Sequence, residues 1–299
     1  MTLTATNPDT DHQWHWQGFE INYRCHGRQG VPVLMIHGFG ASVGHWRKNL
    51  PVIGKEYRCY AIDLLGFGRS AKPDPDSGAY YTFETWSAQI AAFCKEVIGE
   101  PTFLVANSIG CVVAMQTAVN EPEWVRGVVC LNFSLRLFHE RNLAKSPIYQ
   151  RWGVPIFQKI LTRTPLGKLF FKQLAQPKAL RNVLSQAYYD HAAITDELLE
   201  ILLKPAKDSG AAAVFLAFIS YSQGALPDDL LPQMPCPTVV MWGTKDPWEP
   251  IELGRAMVAQ YPQIEFIPLA DVGHCPQDEA PDLVNGHLLD WLKKQTVML

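Results

Sequence analysis

The stretch FLVANSIGC, residues 103–111, places a serine between an apolar run and a helix-like segment. The composition of residues 102–106 predicts a buried strand, and residues 112–119 have helical spacing. Ser108 then lies at the apex of a strand–turn–helix, as in a G-x-S-x-G elbow, where a strained turn exposes the hydroxyl at a helix N-terminus. Ala106 stands in place of the first glycine of that pattern, and Gly110 keeps the second. Taken alone, the stretch is equally compatible with a serine that merely caps a helix.

Apolar runs of similar composition recur along the chain and alternate with helix-like stretches. The runs predicted as strands are residues 31–36, 59–62, 102–106, 128–131, 238–242 and 264–268. Continuous apolar strands separated by helices, such as the amphipathic stretch over residues 82–97, are typical of a parallel sheet covered on both faces. Residues 14–27 alternate around Gly18, which predicts an antiparallel hairpin at the sheet edge. The predicted fold class is therefore α/β.

The alternation of strands and helices stops between residue 133 and about residue 232. This stretch has helical patterning and is interrupted by prolines at positions 147, 155, 165, 177 and 205. We therefore predict an α/β core made of residues 1–132 and 233–299, with residues 133–232 inserted between them as a helical cap.

Two later strand ends supply partners for the serine, whose hydroxyl is a weak nucleophile until a neighbouring base takes its proton. Asp246 follows the strand at residues 238–242, and His274 follows the strand at residues 264–268. Ligands bind at the carboxyl ends of the strands in open α/β sheets. The chain order Ser108, Asp246, His274 is the order that goes with the elbow. We predict a catalytic triad in which His274 is the base and Asp246 orients it.

The segment HGFG, residues 37–40, follows the first parallel strand and predicts part of an oxyanion hole. Acyl transfer needs backbone N–H groups aimed at the developing negative charge. The candidates are the N–H groups of Phe39 and of Ile109, the residue after the nucleophile. The side chains expected to line the substrate pocket are His37, Asn107, Trp248 and Phe133, although the pattern favours a structural role for His37 over proton transfer.

Composition excludes several classes of protein. The chain has 299 residues, a formal net charge of −3 and 47% hydrophobic residues, which is typical of a globular protein and predicts no nucleic-acid partner. No apolar run reaches the ~20 residues of a membrane-spanning helix, and residues 1–13 lack the pattern of a signal peptide. The seven cysteines include no C-x-x-C pair, which predicts a reducing, cytoplasmic location rather than secretion. No nucleotide-binding loop or metal motif occurs, so neither a cofactor nor a metal is expected.

These motifs resemble those of the α/β-hydrolases over almost the whole chain, with the cap at the usual place. Three segments are similar to the pheophytinase and chlorophyll dephytylase group of plants and cyanobacteria: VLSQAYYDHAAITDELLE (183–200), WGTKDPWEPIELGRA (242–256) and VGHCPQDEAPDLVN (272–285). The resemblance implies a serine esterase that hydrolyses the phytyl ester of a chlorophyll-type pigment. It assigns the nucleophile to Ser108, the acid to Asp246 and the base to His274.

Two other functions remain open at this point. One is a carbon–carbon bond hydrolase, because such relatives also carry an Asn-Ser elbow. The other is a non-catalytic ligand receptor built on the same fold. The presence of all three triad candidates favours an enzyme. The best prediction for the substrate is a small-molecule apolar ester that carries a bulky isoprenoid group.

The predicted cap is basic and rich in aromatic residues. Residues 133–181 contain ten Lys or Arg and a single acid, Glu140, which gives this segment a charge of +9. A solvated basic face would explain the charge, and so would peripheral contact with an anionic membrane, of thylakoid type for a pigment substrate. Some of the interleaved aromatic residues are expected to form an apolar slot that selects the substrate.

Overall fold

The structure, a computed structural model, describes residues 11–78 and 80–297, which are built on one eight-stranded sheet. The strands are β1 (His12–Trp16), β2 (Phe19–His26), β3 (Pro32–Ile36), β4 (Arg58–Ile62), β5 (Thr102–Asn107), β6 (Val125–Leu131), β7 (Thr238–Gly243) and β8 (Ile264–Leu269). Their order is β1-β2-β4-β3-β5-β6-β7-β8. The pairs β1–β2 and β2–β4 are antiparallel, and the other pairs are parallel. The mostly parallel sheet and the hairpin at its edge are therefore confirmed.

Helices connect these strands, and the longest run of helices lies in the connection from β6 to β7. The α-helices are α1 (Leu50–Ile53), α2 (Phe83–Phe93), α3 (Ile109–Asn120), α4 (Glu140–Leu143), α5 (Ile148–Arg163), α6 (Pro165–Leu174), α7 (Pro177–Ala187), α8 (Asp196–Ala206), α9 (Ala211–Ser220), α10 (Pro227–Leu230), α11 (Ile251–Val258), α12 (Pro276–Glu279) and α13 (Pro281–Val297). A π-turn, Cys94–Ile98, continues α2, so the helix predicted over residues 82–97 comprises both elements. Short 3₁₀ turns occur at Val43–Trp46, Pro75–Ser77, Pro122–Trp124, His191–Ala193 and Leu231–Gln233.

Both faces of the sheet are covered. Consecutive side chains of a strand point to opposite faces, so a single strand contributes to a core on each side. Leu34 and Ile36 of β3 belong to a core that includes residues of α2, α3 and α11. Val33 and Met35 of the same strand belong to a second core, on the side of α1 and α13. A strand that must be apolar on both faces has no polar alternation, which explains the continuous apolar runs in the sequence.

The connection from β6 to β7 holds α4 to α10, and we use the word cap for residues 133–232 as the sequence analysis defines it. Helices α5 and α6 pack against each other, and both pack against α9. The cap therefore has an inner helix, α9, below an outer pair.

Two sequence-based expectations concern the chain as a whole. Within the described residues, none of the helices is both long enough and apolar enough to cross a membrane. The expected lack of a signal peptide rests largely on residues 1–10, which lie outside the described part of the chain.

Candidate active site

Ser108 lies in a strained turn between β5 and α3. Its φ of 55° and ψ of −122° are rare for a residue with a side chain. A methyl group at Gly110 would come within 2.6 Å of the His37 carbonyl oxygen, and one at Gly38 would come within 3.1 Å of the Ser108 Cβ. Glycine at these two positions lets the loop after β3, the turn and α3 pack closely. The Ser108 side chain makes no capping hydrogen bond to α3. This argues against the alternative that the serine merely caps the helix.

The structure brings Ser108, His274 and Asp246 together in one row of hydrogen bonds. The His274 Nδ1 lies 2.7 Å from Asp246 Oδ2, and its Nε2 lies 3.0 Å from Ser108 Oγ. Because a carboxylate can only accept, Nδ1 carries the proton, which leaves Nε2 able to accept from the serine hydroxyl. The side chain of Asp246 is fully buried, that of His274 is nearly so, and Ser108 remains partly exposed. A substrate can therefore reach the hydroxyl while its two partners are shielded from water.

Backbone and side-chain donors hold the Asp246 carboxylate from both sides. Its Oδ1 accepts from the backbone N–H groups of Trp248 at 2.9 Å and of Glu249 at 3.0 Å. Its Oδ2 accepts from Asn132 Nδ2 at 2.7 Å as well as from His274. Each oxygen thus accepts two hydrogen bonds, which fixes the orientation of the carboxylate toward the imidazole.

Asn132 is a residue of the site that the sequence analysis missed. It directly follows β6 with a φ of 46°, a conformation that asparagine tolerates better than most residues. Its Oδ1 accepts from the N–H of Gly243 at 3.1 Å, and its Nδ2 also approaches the Gly273 carbonyl oxygen at 3.3 Å. One side chain therefore links the ends of β6 and β7 to the loop that carries the histidine. Its position directly after a predicted strand was the available signal.

The two proposed oxyanion donors lie on the elements expected from the sequence. Ile109 is the first residue of α3, and the first N–H groups of a helix have no partner within the helix. Phe39 belongs to the loop after β3 that Gly38 brings against the Ser108 side chain. Their function as oxyanion donors remains a prediction.

Three of the four residues expected to line the pocket have buried side chains, and the structure gives these side chains packing and hydrogen-bonding partners in the protein. His37 is fully buried; its Nδ1 bonds the Gly38 carbonyl oxygen at 2.7 Å and its Nε2 accepts from the Leu64 N–H at 3.1 Å. Burial lowers the pKa of His37, so the neutral ring holds the loop in place. Asn107 is also buried, and its amide donates to the carbonyl oxygens of Leu131 and His274.

Phe133 and Trp248, the other two residues expected in the pocket, differ in their exposure to solvent. Phe133 is fully buried and packs edge-on against Trp242 with ring centroids 4.7 Å apart, so it belongs to the core although it was expected to begin the cap. Trp248 is 41% exposed and lies with its ring centroid 5.1 Å from that of His274. Trp248 is therefore the one residue of the expected set with both a free surface and contact with the triad.

Aromatic side chains of α9 approach the site from the cap. Phe218 stacks on Phe39 at 4.6 Å between ring centroids, and Phe215 lies 5.6 Å from the same ring. Phe170 and Phe171 of α6 in turn lie 6.3 Å and 5.2 Å from Phe215. A continuous aromatic layer thus runs from the outer cap to the loop that carries one proposed oxyanion donor.

Glu249 is a second acid beside the triad that the sequence analysis did not identify. Its Oε1 accepts from the Leu135 N–H at 3.1 Å and from Ser134 Oγ at 3.2 Å, while its Oε2 is buried without a partner among the described residues. Burial raises the pKa of Glu249 to about 7, and the nearby His274 opposes that shift. Its carboxyl bonds neither Ser108 nor His274, which separates it from Asp246.

The loop that carries His274 is tied to the cap. The His274 N–H donates to the carbonyl oxygen of Ala187, the last residue of α7, at 2.8 Å. The next residue, Tyr188, is buried and donates its hydroxyl to Asp278 Oδ2 at 3.0 Å, and the hydroxyl oxygen lies 3.1 Å from His45 Nε2. The end of α7 therefore binds the histidine loop at His274 itself and, through Tyr188, at Asp278.

Among the residues that the structure describes, no group of three or more His, Cys, Asp or Glu side chains could hold a metal ion.

The sheet order, the strained serine turn and the Ser108–His274–Asp246 hydrogen bonds define the class of α/β hydrolases. The sequence model of the alpha/beta hydrolase family matches residues 33–287, and the chain belongs to this family.

Comparison with individual proteins finds several kinds of hydrolase. Chloroplastic pheophytinase of Arabidopsis thaliana is 27% identical over 303 residues, which cover 90% of this chain but 62% of that protein, so the chain spans less than two thirds of its length. The 2-hydroxy-6-oxo-6-(2'-aminophenyl)hexa-2,4-dienoic acid hydrolase of Metapseudomonas resinovorans is 28% identical, with 93% of this chain and 89% of that protein covered. The structure of an esterase from Thermogutta terrifontis superposes with a TM-score of 0.74 at 22% identity, covering 96% of this chain and 99% of the other. The resemblance to pheophytinase noted in the sequence is thus confirmed, and the relatives differ in the reactions that their names state.

Proposed function

We propose that this protein is a serine hydrolase that cleaves a carboxylic ester through an acyl-enzyme, and that its substrate is the phytyl ester of a chlorophyll-type pigment. The observation that carries the proposal is the 3.0 Å contact between Ser108 Oγ and His274 Nε2, made from a strained turn at a helix N-terminus. A ligand receptor has no need for a base in contact with a strained serine, so this contact favours an enzyme.

The proposed reaction begins when Ser108 Oγ attacks the ester carbonyl carbon and gives its proton to His274 Nε2. Asp246 stabilises the resulting imidazolium through the 2.7 Å bond to Nδ1. The N–H groups of Phe39 and Ile109 stabilise the oxyanion of the tetrahedral intermediate. The bond to the alcohol then breaks, and His274 returns its proton to the departing alkoxide. In the second half, water attacks the acyl carbon and gives a proton to His274 Nε2; the bond to Ser108 Oγ then breaks, and His274 returns the proton to that oxygen as the acid leaves.

The substrate class is supported by the apolar surroundings of the site. The rings of Phe215 and Phe218 both contact the ring of Phe39, which follows the glycine that packs against Ser108. Ligand sites are mostly apolar, and a long isoprenoid alcohol needs such a surface along its length. The similarity to a pheophytinase over 90% of this chain points to the same class of ester.

A second candidate is a carbon–carbon bond hydrolase, which is favoured by the 28% identity to a dienoic acid hydrolase over nearly the full length of both chains. Such an enzyme would use the same residues on a ketone in place of an ester. The two candidates differ in substrate, so one panel of compounds distinguishes them.

The first prediction tests the nucleophile. We expect a fluorophosphonate to modify Ser108 covalently in the wild type, and we expect Ser108→Ala to lose both the modification and ester turnover while keeping its fold, because removing a triad member leaves just the residual catalysis of binding and the oxyanion hole. Peptide mapping by mass spectrometry and circular dichroism measure these outcomes. The matched control is Ser146→Ala in the cap, where the hydroxyl donates to the Asn142 carbonyl oxygen.

The substrate panel contains short and long p-nitrophenyl esters, pheophytin, chlorophyll and a ring-fission dienoate. Release of phytol by the wild type and not by Ser108→Ala is the expected result. Turnover of the simple esters without release of phytol would reject the pigment substrate and leave the serine hydrolase in place. Turnover of the dienoate alone would establish the second candidate, and full activity of folded Ser108→Ala would reject both.

A further inference from the structure

The outer pair of cap helices exposes an unusual number of large apolar side chains. On α5, Ile148 is 75% exposed, Trp152 63%, Ile156 56% and Ile160 45%. Residues four apart lie on the same face of a helix, so these four form one stripe. Leu161, which is buried, lies about 180° around the helix from Trp152. The stripe is therefore the face of α5 that points away from the rest of the protein.

Helix α6 extends this surface. Leu166 and Leu169 are 55% and 54% exposed, and α6 packs beside α5 on the same inner helix, α9. We define the apolar face as these two leucines together with Ile148, Trp152, Ile156 and Ile160. A contiguous exposed patch of this kind marks a binding surface in a folded protein.

Cations lie within and around the apolar face. Lys159 and Arg163 are placed about 20° on either side of Trp152 around the helix axis, and Lys168 and Lys172 lie on α6. All four are exposed, and none of them forms an ion pair within the described part of the chain. No Asp or Glu occurs between Glu140 and Asp190 in the sequence. The positive charge of this surface is therefore not neutralised locally.

The structure also shows which of the ten basic residues counted in the sequence do not contribute. Arg136 is buried and donates to the carbonyl oxygens of Gln223 and Ala225. Arg141 pairs with Asp229, and Arg181 pairs with Asp196. The seven that remain are exposed and unpaired among the described residues; they are Lys145, Arg151, Lys159, Arg163, Lys168, Lys172 and Lys178.

We propose that the apolar face of α5 and α6 docks on the surface of an anionic lipid bilayer. The centres of protein–protein interfaces are depleted in lysine, whereas here lysine stands among the apolar residues. Helices that lie in a membrane interface combine Trp, Ile and Leu with Lys and Arg in this way, because the apolar side chains enter the acyl boundary while the cations meet anionic headgroups. A second copy of this chain would bring like charges together, which disfavours self-association through this face.

Docking would place the bilayer at the outer end of the aromatic layer that leads to the site. Phe170 is 41% exposed beside the apolar face, its ring lies 6.3 Å from that of Phe215, and Phe215 lies 5.6 Å from Phe39. A lipid-soluble ester could follow this layer from the membrane to Ser108. This route rests on the proposed function, whereas docking itself does not.

The test is co-sedimentation with phosphatidylcholine vesicles that contain or lack phosphatidylglycerol, at low and high salt. We expect the wild type to bind the anionic vesicles at low salt and to dissociate as salt screens the charges. The variant Lys159→Gln, Arg163→Gln, Lys168→Gln, Lys172→Gln should bind about 600-fold more weakly, since each of the four cations contributes about fivefold.

The matched control removes four exposed cations at other places: Arg28→Gln, Lys55→Gln, Lys95→Gln, Lys293→Gln. The first three precede β3, β4 and β5, so they lie at the amino edge of the parallel strands, opposite the site. This control changes the net charge equally and should bind nearly as the wild type does. A third variant, Ile148→Ser, Trp152→Ser, Ile156→Ser, keeps every cation and should bind more weakly while retaining its salt dependence.

Turnover of a short, water-soluble ester should be the same in all these variants, which separates a failure of docking from a failure of the proposed function. The proposal is wrong if the wild type does not bind anionic vesicles at low salt, if neutral vesicles bind it equally well, or if the control loses as much binding as the cap variant. It is also wrong if light scattering shows a dimer that the triple serine variant abolishes while vesicles are not bound, because the face would then serve self-association.

Discussion

The carboxylate of Asp246 has a fixed orientation because its two oxygens meet different partners. Two backbone N–H groups, those of Trp248 and Glu249, point at Oδ1 and require an acceptor there. An asparagine at this position must therefore place its own oxygen on that side and its NH₂ group toward His274. The NH₂ group would donate to Nδ1, so the proton of the imidazole would move to Nε2, which could then no longer accept from Ser108.

We accordingly predict that Asp246→Asn lowers kcat by about 10³–10⁴-fold, with a smaller change in KM. Steady-state kinetics on a p-nitrophenyl ester measures the effect, and circular dichroism checks the fold. The NH₂ group would also face Asn132 Nδ2, now 2.7 Å from the carboxylate, which adds a second mismatch.

Asp271→Asn is the matched control for this prediction. Its side chain is 70% exposed and lies 4.0 Å from Lys245, so it has no contact with the imidazole. The control should keep wild-type kcat. Nearly full activity of Asp246→Asn, or an equal loss in Asp271→Asn, would show that the acid lies elsewhere.

Among the elements, α7 couples the cap to the histidine loop through its C-terminus. Tyr188 sits between two buried groups, His45 Nε2 at 3.1 Å and Asp278 Oδ2 at 3.0 Å, and Arg47 also binds that aspartate at 2.6 Å. Gln277 Nε2 lies 3.4 Å from His45 Nδ1, which makes Nε2 the protonated nitrogen and a donor to Tyr188. The hydroxyl therefore accepts one hydrogen bond and donates another across the boundary between cap and core.

We predict that Tyr188→Phe lowers the free energy of unfolding by about 1–3 kcal/mol, because it leaves a buried donor and a buried acceptor without a partner. Equilibrium unfolding in urea measures the difference. The neighbouring Tyr189, which is 52% exposed, provides the control Tyr189→Phe, and a surface change of this kind should stay within about 0.5 kcal/mol of the wild type. Equal stability of the two variants would contradict a structural role for the Tyr188 hydroxyl.

The strands and the three residues brought together at the site could be predicted because their signals are local. A buried strand is apolar over its own few residues, and Ser108, Asp246 and His274 each follow such a strand directly. Glu249 and Tyr188 could not be found in this way, since neither directly follows a strand and their partners are distant in the chain: Glu249 meets Leu135 across 114 positions and Tyr188 meets His45 across 143. Asn132 does follow a strand directly, but nothing local indicates that its amide meets Asp246, 114 positions away. Phe133 and Asn107 are buried, because the direction of each side chain is set by packing in the core and not by position along the sequence.

For the molecule as a whole, two buried groups make stability depend on pH in opposite directions. Burial lowers the pKa of His45 to about 4, so its contribution is lost as the pH falls below the usual range of histidine, where the unfolded chain takes up a proton that the fold excludes. Burial raises the pKa of Glu249 from 4.5 to about 7. The neutral carboxyl is favoured in the fold, so the contribution of Glu249 is complete below pH 4.5 and is lost as the pH rises through 7.

We predict that Glu249→Gln gains stability relative to the wild type as the pH rises from about 4.5 to about 7, by at most about 1.4 kcal/mol per pH unit, with no further change at higher pH. Urea unfolding of both proteins at a series of pH values gives the difference, from which the contribution of His45 cancels. Glu252→Gln on the exposed surface of α11 is the control and should show no such slope. A difference that is constant across this window would mean that Glu249 ionises in the fold as it does in water.

The separation of Ser108 from His274 by 166 positions also has a consequence for synthesis on the ribosome. A ribosome adds about 5–20 residues per second, so the serine is added roughly 10–30 seconds before its base. Strand β6 likewise waits for its neighbour β7 until the whole cap has been made, because the two pair in parallel across that insertion. During this interval the nascent chain carries a serine without a base, and a chain released early by stalled translation would have no triad. The order of the three residues along the chain thus delays assembly of the proposed triad until the sheet is nearly complete.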